Sequence, residues 1–561
     1  MRPASPAILT ADATERLPRW VLLLLGLLYI APGLLGREAW KPIDGTSLGI
    51  MLELVNGHAD WWSPTLLGQS VAEAAWLPYW LGAWAIQALP FLDPVTASRV
   101  PLAAALVLTM VSTWYASFSL ALQPLAQPVR FAFGGHAEPL NYARAIADTA
   151  LLALVACLGL AIMGHESSPH PYAMAASAAL LHVAADAQRA SPALKPARWT
   201  LRWAIAVVVL MASGYPGTAV CLGLLALWPA GTDPASSVAK RAGLLRGAIA
   251  VALFALYWGV PWPHDAASSA PWRLAHLAGW LRTSAWYAWP AWPLAGIALW
   301  TWRRQWRSAH IALPLAASLI LMLIAVGAAV PQRHMLLLLP ALAPLAAFAV
   351  PTVKRHVMAL VDWLALLMFS VTGTVIAVYG LAMGLGWPAP AARAVRRLLP
   401  ELRADIPTWV WLFAVVITAA WLGAVRWRTR SHRPALWKSL VLSAAGTTWC
   451  WALLMSLWLP ALNHGMSYRH LAERLAQLTP PGACLRTAGF APALNAALLQ
   501  QGIRPVAQAD TSTCDYLAVG EYAEAFIVDA QTWVEMASLW QVDQRAQRVL
   551  LFKRLSSAAA P

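Results

Sequence analysis

The feature that most constrains this chain is a recurring block of apolar residues, each about 18–25 long. That is the length at which an α-helix crosses a hydrocarbon core of ~30 Å. Blocks lie near 20–36, 75–92, 99–122, 146–164, 172–190, 203–230, 243–260, 284–302, 308–330, 334–351, 358–384, 406–426 and 437–459. The sequence therefore predicts an all-α polytopic membrane protein of about thirteen transmembrane helices. Charged residues supply only 12% of the chain, half of the roughly 25% in a soluble domain. Many of the 33 tryptophans sit at block edges, among them Trp20, Trp40, Trp61, Trp62, Trp228 and Trp262. An amphipathic ring suits the headgroup level there. The net charge of +15 is spread over short loops between blocks, a pattern of topology that argues against a nucleic-acid-binding face.

Arg16 and Arg19 precede the first apolar run as they would in a signal peptide, but Gly36-Arg37-Glu38 offers no small-residue cleavage site. The run is expected to stay as the first span. Basic loops then set the orientation. Lys240, Arg241 and Arg246, then Arg303, Arg304 and Arg307, then Lys354 and Arg355, then Arg426, Arg428, Arg430 and Arg433 alternate as cytoplasmic loops. This predicts a cytoplasmic N-terminus and an exported C-terminus in a bacterial inner membrane. Two stretches disobey. Lys195, Arg198 and Arg202 fall outside on this count, next to a long block interrupted by Gly214-Tyr215-Pro216-Gly217. The segment 385–405 also places Arg393, Arg396, Arg397 and Arg403 outside, where they could face an anionic ligand such as a lipid phosphate.

The chain changes character at residue 460. Residues 1–459 read as the membrane domain and 460–561 as a small soluble α/β domain on the periplasmic side. In the latter, 468–478 reads as a helix, and Tyr516–Val519 and Val549–Phe552 read as strands. Cys484 and Cys514 lie in this polar tail, and a disulfide between them would close a loop worth roughly 3 kcal/mol. Such a bond persists in an oxidising compartment, which agrees with export. Cys157, Cys221 and Cys450 lie singly inside apolar blocks and read as small core residues.

The segment with most chemistry is the first outer loop, residues 37–75, which holds Asp44, Glu53, His58, Asp60 and Glu73. Asp44 could cap a helix running to about Asn56. Leu48, Met51, Leu52 and Val55 share one face of it, which suits a helix lying in the membrane surface.

Four segments in order resemble the GT-C superfamily of membrane glycosyltransferases, nearest to the bacterial aminoarabinose transferase and protein O-mannosyltransferase branch. The first runs from Trp40-Lys-Pro-Ile-Asp44 through Asp60-Trp61-Trp62-Ser-Pro64 to Glu73 and Leu77-Pro78-Tyr79-Trp80. The others are Gln332-Arg333-His334 with Leu336–Leu339-Pro340, Trp286-Tyr-Ala-Trp-Pro290 after His276 and Arg282, and Asp148 after Arg144. Two departures stand out. Gly45 follows Asp44 where the family commonly has Glu, and Ala74 follows Glu73 where the family has a lysine that contacts lipid phosphate.

The resemblance implies transfer of a sugar from a polyprenyl-phosphate donor to a lipid, glycan or protein acceptor on the periplasmic face. A carboxylate must then take the acceptor proton, and arginine forks must hold the leaving phosphate. By resemblance Asp44 is the candidate base, with Glu73 and Asp148, read as the outer start of a span, as supporting acids. Arg282 and Arg333 are candidate phosphate ligands. His276 and Glu73 are candidate ligands should a divalent metal take part, though none is required by the reading. Asp362 reads as structural. A transporter or lipid flippase is the competing class, but it would favour paired repeats with charges at mid-membrane. A noncatalytic scaffold that keeps the fold is the third.

Overall fold

The computed structural model describes residues 5–71, 73–132, 135–189, 195–227, 237–263, 274–328, 330–399, 402, 404–430, 435–507, 514–520, 528–529, 531–540 and 548–555. Helix α1 (Arg19–Leu34) runs from the N-terminal segment to the end of the bundle that carries Asp44, the site end. There α2 (Ile43–Val55) and α3 (Leu77–Ala88) pack together before α4 (Pro94–Ala121) turns back. Helices α5 (Pro139–Ala156) and α6 (Leu158–Met163) return to the site end across a break at Cys157, and α7 (Pro169–Ala187) leaves it. Then come α8 (Pro196–Ala212), α9 (Pro216–Ala226), α10 (Ser237–Gly259), α11 (Leu274–Tyr287) and α12 (Ala291–Thr301). The bundle closes with α13 (Ala309–Val326), α14 (Pro331–His334), α15 (Leu339–Ala349), α16 (Arg355–Leu385), α17 (Ala389–Leu398), α18 (Thr408–Arg430) and α19 (Lys438–Leu457).

Six segments among the described residues are long and apolar enough to cross a membrane: Pro94–Ala121, Ala309–Val326, Pro331–Thr352, His356–Leu385, Thr408–Arg430 and Lys438–Leu457. Leu367, Leu412 and Val415 stand exposed on the outward faces of these segments, as do Leu23 and Leu27 on α1. Lipid can cover such faces, because every backbone group is satisfied within the helix. The chain is a multi-pass membrane protein. Polar side chains inside the helices turn back on their own backbone. Thr109, Thr113 and Ser117 of α4 each donate to the carbonyl four residues earlier, at 2.8–2.9 Å.

Two expected spans are redrawn. Residues 75–92 do not cross. Helix α3 has only 12 residues, about 18 Å at 1.5 Å per residue, against a core of ~30 Å. Both its ends stay at the site end: Trp76 N–H donates to the Ala212 carbonyl, and α4 begins where Arg99 meets the carbonyls of Leu34, Arg37 and Glu38. Indole N–H groups hold this helix to the loop before it. Trp76 donates to the Trp62 carbonyl at 2.8 Å and Trp80 to the Trp61 carbonyl at 2.6 Å.

The block at 203–230, expected as one span, holds two antiparallel helices over its described part, which ends at residue 227. Gly214 adopts φ +88 at the reversal, a left-handed conformation that a glycine takes without strain. The Trp203 N–H of α8 then meets the Gly223 carbonyl of α9 at 3.1 Å. With 75–92 held at the site end, the blocks at 99–122, 146–164 and 172–190 run opposite to the expected directions. Lys195, Arg198 and Arg202 move to the end opposite the site.

The C-terminal unit comprises α20 (Leu459–Met466), α21 (Arg469–Leu478), α22 (Pro492–Gln500) and five strands. The strands are β1 (Leu485–Ala488), β2 (Val506–Ala507), β3 (Tyr516–Val519), β4 (Trp533–Trp540) and β5 (Arg548–Arg554). They form one sheet in the order β2-β1-β3-β5-β4, parallel across β2-β1-β3 and antiparallel beyond. Leu471, Leu475, Leu485, Leu498 and Leu551 fill its core, and Cys484 and Cys514 form a disulfide.

This unit docks on α2 through its helix α22. A Cβ at Gly49 would lie 2.5 Å from the Ala496 Cβ, and one at Gly45 would lie 3.0 Å from the Ala493 Cβ. The face expected to lie in the membrane surface is instead partly covered: Leu48 is buried, and Met51 packs in a cluster with Tyr79 and Ala83 of α3 and Ala496 of α22. Glu53 of α2, 1% exposed, accepts from Arg504 Nε at 3.2 Å and Nη2 at 3.3 Å, and His58 Nδ1 stands 3.6 Å away. Replacing Gly49 with valine is expected to cost about 1–3 kcal/mol by overpacking. Faster release of the C-terminal unit by limited proteolysis of the full chain would report it.

Candidate active site

The site is assembled from four separate stretches that meet at one end of the bundle. The chain turns after α1 at Gly36, which adopts φ +70, and the Arg37 side chain is buried, 5% exposed. Its Nη1 donates to the His165 carbonyl at 3.0 Å, its Nη2 to Asp44 Oδ2 at 2.5 Å, and its guanidinium lies 4.0 Å from the Trp40 ring centre. Asp44, 2% exposed, sits in the first turn of α2, but its carboxylate does not cap that helix. It accepts instead from Arg37, from Arg99 Nη2 at 3.3 Å and from the Ser167 backbone N–H at 2.6 Å.

Beside this knot lies a second one. Arg333, on α14, is set between two carboxylates: Nη1 is 3.1 Å from Glu73 Oε1 and Nε is 3.1 Å from Glu166 Oε2. The side chains of Arg333, Glu73 and Glu166 are only 14%, 9% and 16% exposed. Glu73 is placed by the loop stapled to α3, with the Tyr79 hydroxyl donating to its carbonyl at 2.7 Å. Glu166 lies in the turn between α6 and α7, one residue before the Ser167 N–H that Asp44 grips. Burial raises the Glu166 pKa, Arg333 opposes the rise, and the Asp44 charge adds to it.

Asp44, Glu73 and Arg333, all expected from the sequence, thus converge. Asp148 does not. Its Oδ1 accepts from the Trp114 Nε1–H at 2.8 Å, and its helix begins beside the N-terminal segment, where Arg16 meets Asn141 at 3.0 Å. About fifteen helical residues, roughly 22 Å, separate it from the Glu166 turn. Asp148 lies apart from the other expected site residues because α5 and α6 together run toward the site end and carry Asp148 in their first half.

Arg282 is exposed on α11, the helix packed against α14, and makes no ion pair among the described residues. His276 belongs to the same helix, but its side chain lies outside the described residues. Glu73 is engaged by Arg333, and among the described residues no group of three or more His, Cys, Asp or Glu is set to hold a metal. Asp362 pairs with Arg428 at 2.5 Å, at the opposite end of the bundle.

Arg37, Arg99 and Glu166 were not singled out by sequence. The signal for Glu166 is its place in His165-Glu166-Ser-Ser-Pro-His170, a polar turn between apolar blocks. The architecture as a whole overlays on ArnT from Cupriavidus metallidurans bound to undecaprenyl phosphate, with a TM-score of 0.61 over 97% of this chain and 99% of that one. The chain shares the ArnT fold. Identity is 15%, and the apo form of ArnT matches equally well at 14%. An oligosaccharyltransferase from Archaeoglobus fulgidus overlays more loosely, with a TM-score of 0.41 and 10% identity over 85% of this chain and 63% of its own length. No family model matches the sequence, and no curated protein matches it at significant similarity. The likeness to ArnT bears out the GT-C resemblance at the level of fold.

Proposed function

We propose that this chain is a glycosyltransferase that moves a sugar from a polyprenyl-phosphate donor to an acceptor hydroxyl at the outer face of a bacterial inner membrane. The observation that carries the reading is Arg333 shared between two buried carboxylates beside Asp44. A guanidinium fork matches phosphate oxygens as well as carboxylate oxygens. A donor phosphate that takes this fork displaces a carboxylate and so leaves a base unpaired beside the reacting carbon.

Glu166 suits the role of that base, because burial keeps its affinity for a proton high. Asp44 is held by two guanidinium groups and an N–H and acts here as the anchor of the 165–167 turn. The acceptor oxygen forms its bond to the anomeric carbon as the carbon–oxygen bond to phosphate breaks. The acceptor proton passes to Glu166, and polyprenyl phosphate leaves with the bonding pair, neutralised by Arg333. Arg282 is the second cation proposed for the phosphate, in the place of the lysine that Ala74 lacks. Glu73 holds Arg333 in register. His276 and Glu73 remain the proposed ligands of a divalent ion, and no step above depends on one.

Thirteen crossings, with the N-terminus cytoplasmic and residues 460–561 periplasmic, complete the proposal. Its support is charge. The basic stretches at 195–202, 303–307, 354–355 and 426–430 all adjoin helix ends opposite the site. The Cys484–Cys514 disulfide fits the exported side.

The test uses purified protein in nanodiscs with a radiolabelled polyprenyl-phosphate sugar. Glu166→Gln is expected to lower kcat by about 10²–10⁴-fold with the donor KM little changed. Transfer needs ionised Glu166, so the wild-type rate should rise with pH through a value above the ordinary 4.5 of a glutamate, and Glu166→Gln should lack that limb. Wild-type turnover by Glu166→Gln would overturn the assignment.

A further inference from the structure

A groove of about 1180 Å³ opens between α1, α18 and α19, larger than the roughly 300–1,000 Å³ of ordinary ligand pockets. It exists because α1 and α18 both pack on α19 but scarcely on each other. Its walls are apolar, with Leu27, Ala31, Trp409, Phe413 and Met455 among them. Leu27 is 63% and Trp409 68% exposed, so the groove opens toward the bilayer. Its upper end is polar, lined by Glu38, Asn463, Arg469, His470 and Glu473. From Leu27 to Gly36 the wall rises roughly 14 Å at 1.5 Å per residue. That is about half of a ~30 Å hydrocarbon core, the depth of one leaflet.

The mouth itself holds one arginine against two carboxylates, since Arg469 pairs with Glu473 at 2.8 Å and faces Glu38 at 3.9 Å. The positive charge for an anionic headgroup comes from the neighbouring α17. Arg393, Arg396 and Arg397 are exposed there and make no ion pair among the described residues. Arg396 lines a smaller cavity of about 410 Å³, and Leu402 lines both it and the groove. These arginines lie at the site end, where topology gives no reason for positive charge. The groove is also distinct from the donor's place. Gly36 and Glu38 face it, whereas Arg37 between them turns away to Asp44.

We propose that this groove holds one anionic membrane phospholipid, its acyl chains between α1 and α18 and its phosphate against the α17 arginines, as a bound ligand that is not a substrate. The lipid fills the gap beside α1 and so braces the helix that delivers Arg37 to Asp44. The inference rests on the membrane reading of the chain and not on the transfer chemistry, because lipid binding is measured without any sugar.

The test is native mass spectrometry of the full chain, delipidated in detergent and titrated with phosphatidylglycerol or phosphatidylcholine of identical chains. One phosphatidylglycerol should bind about ten-fold tighter than phosphatidylcholine and raise the thermal unfolding midpoint. The triple variant Arg393→Gln, Arg396→Gln, Arg397→Gln should lose that preference and that rise. Ser456→Trp, which fills the groove, should lose binding of both lipids. Equal binding of the two lipids, or a triple variant that behaves as wild type, overturns the proposal. So does stoichiometric displacement of phosphatidylglycerol by undecaprenyl phosphate, which would hand the groove to the donor.

Discussion

Replacing Arg333 with glutamine is expected to cut sugar transfer by at least about 10²–10³-fold, the cost of losing one charge-stabilising donor from a transition state. Two losses combine in that variant. The leaving phosphate loses its fork, and Glu73 and Glu166 lose the cation that each now meets at 3.1 Å. Buried carboxylates without a partner take up protons, so the remaining activity should move to higher pH. Binding of undecaprenyl phosphate without sugar should weaken in parallel. Arg333→Lys keeps the charge but not the fork, and should fall between the two. A glutamine variant that binds the lipid phosphate and transfers sugar like wild type would remove Arg333 from the site.

The second large effect concerns folding. Asp44→Asn strips the negative partner from Arg37 and Arg99, side chains that are only 4% and 3% exposed. Leaving buried charges uncompensated costs about 3–5 kcal/mol, whereas removing charge from both partners costs far less. Thermal unfolding in detergent should therefore show Asp44→Asn strongly destabilised, and Asp44→Asn with Arg99→Met partly restored. A single variant as stable as wild type, but inactive, would return Asp44 to the role of base.

Part of this site was legible before the structure. Asp44, Glu73 and Arg333 stand in motifs whose order and spacing resemble those of GT-C transferases, and they do meet. What hydropathy could not separate was a crossing helix from a short one stapled flat by indoles. The 75–92 block is apolar enough for either, and the outcome turns on Trp76 and Trp80 reaching carbonyls far back in the loop. From there the direction of each block was inverted until Gly214 split the 203–230 block and restored it. Asp148 and Glu166 changed places for that reason alone. Arg99 was hidden differently. At the start of an apolar block it reads as an interfacial side chain, and only the fold reveals three backbone carbonyls and Asp44 around it. The Gly45 departure finds its reason in packing, since a larger residue there would meet Ala493.

That contact between α2 and α22 also sets an order of events. The two sides of the Glu53–Arg504 pair stand 451 residues apart in the chain. Synthesis from the N-terminus delivers Asp44 early and leaves the Gly45–Gly49 face of its helix uncovered until residues 492–500 have been made. The bundle is thus finished by its own tail, and a chain cut short between α19 and α22 carries the acids and arginines of the site but leaves the Gly45–Gly49 face of α2 without its cover.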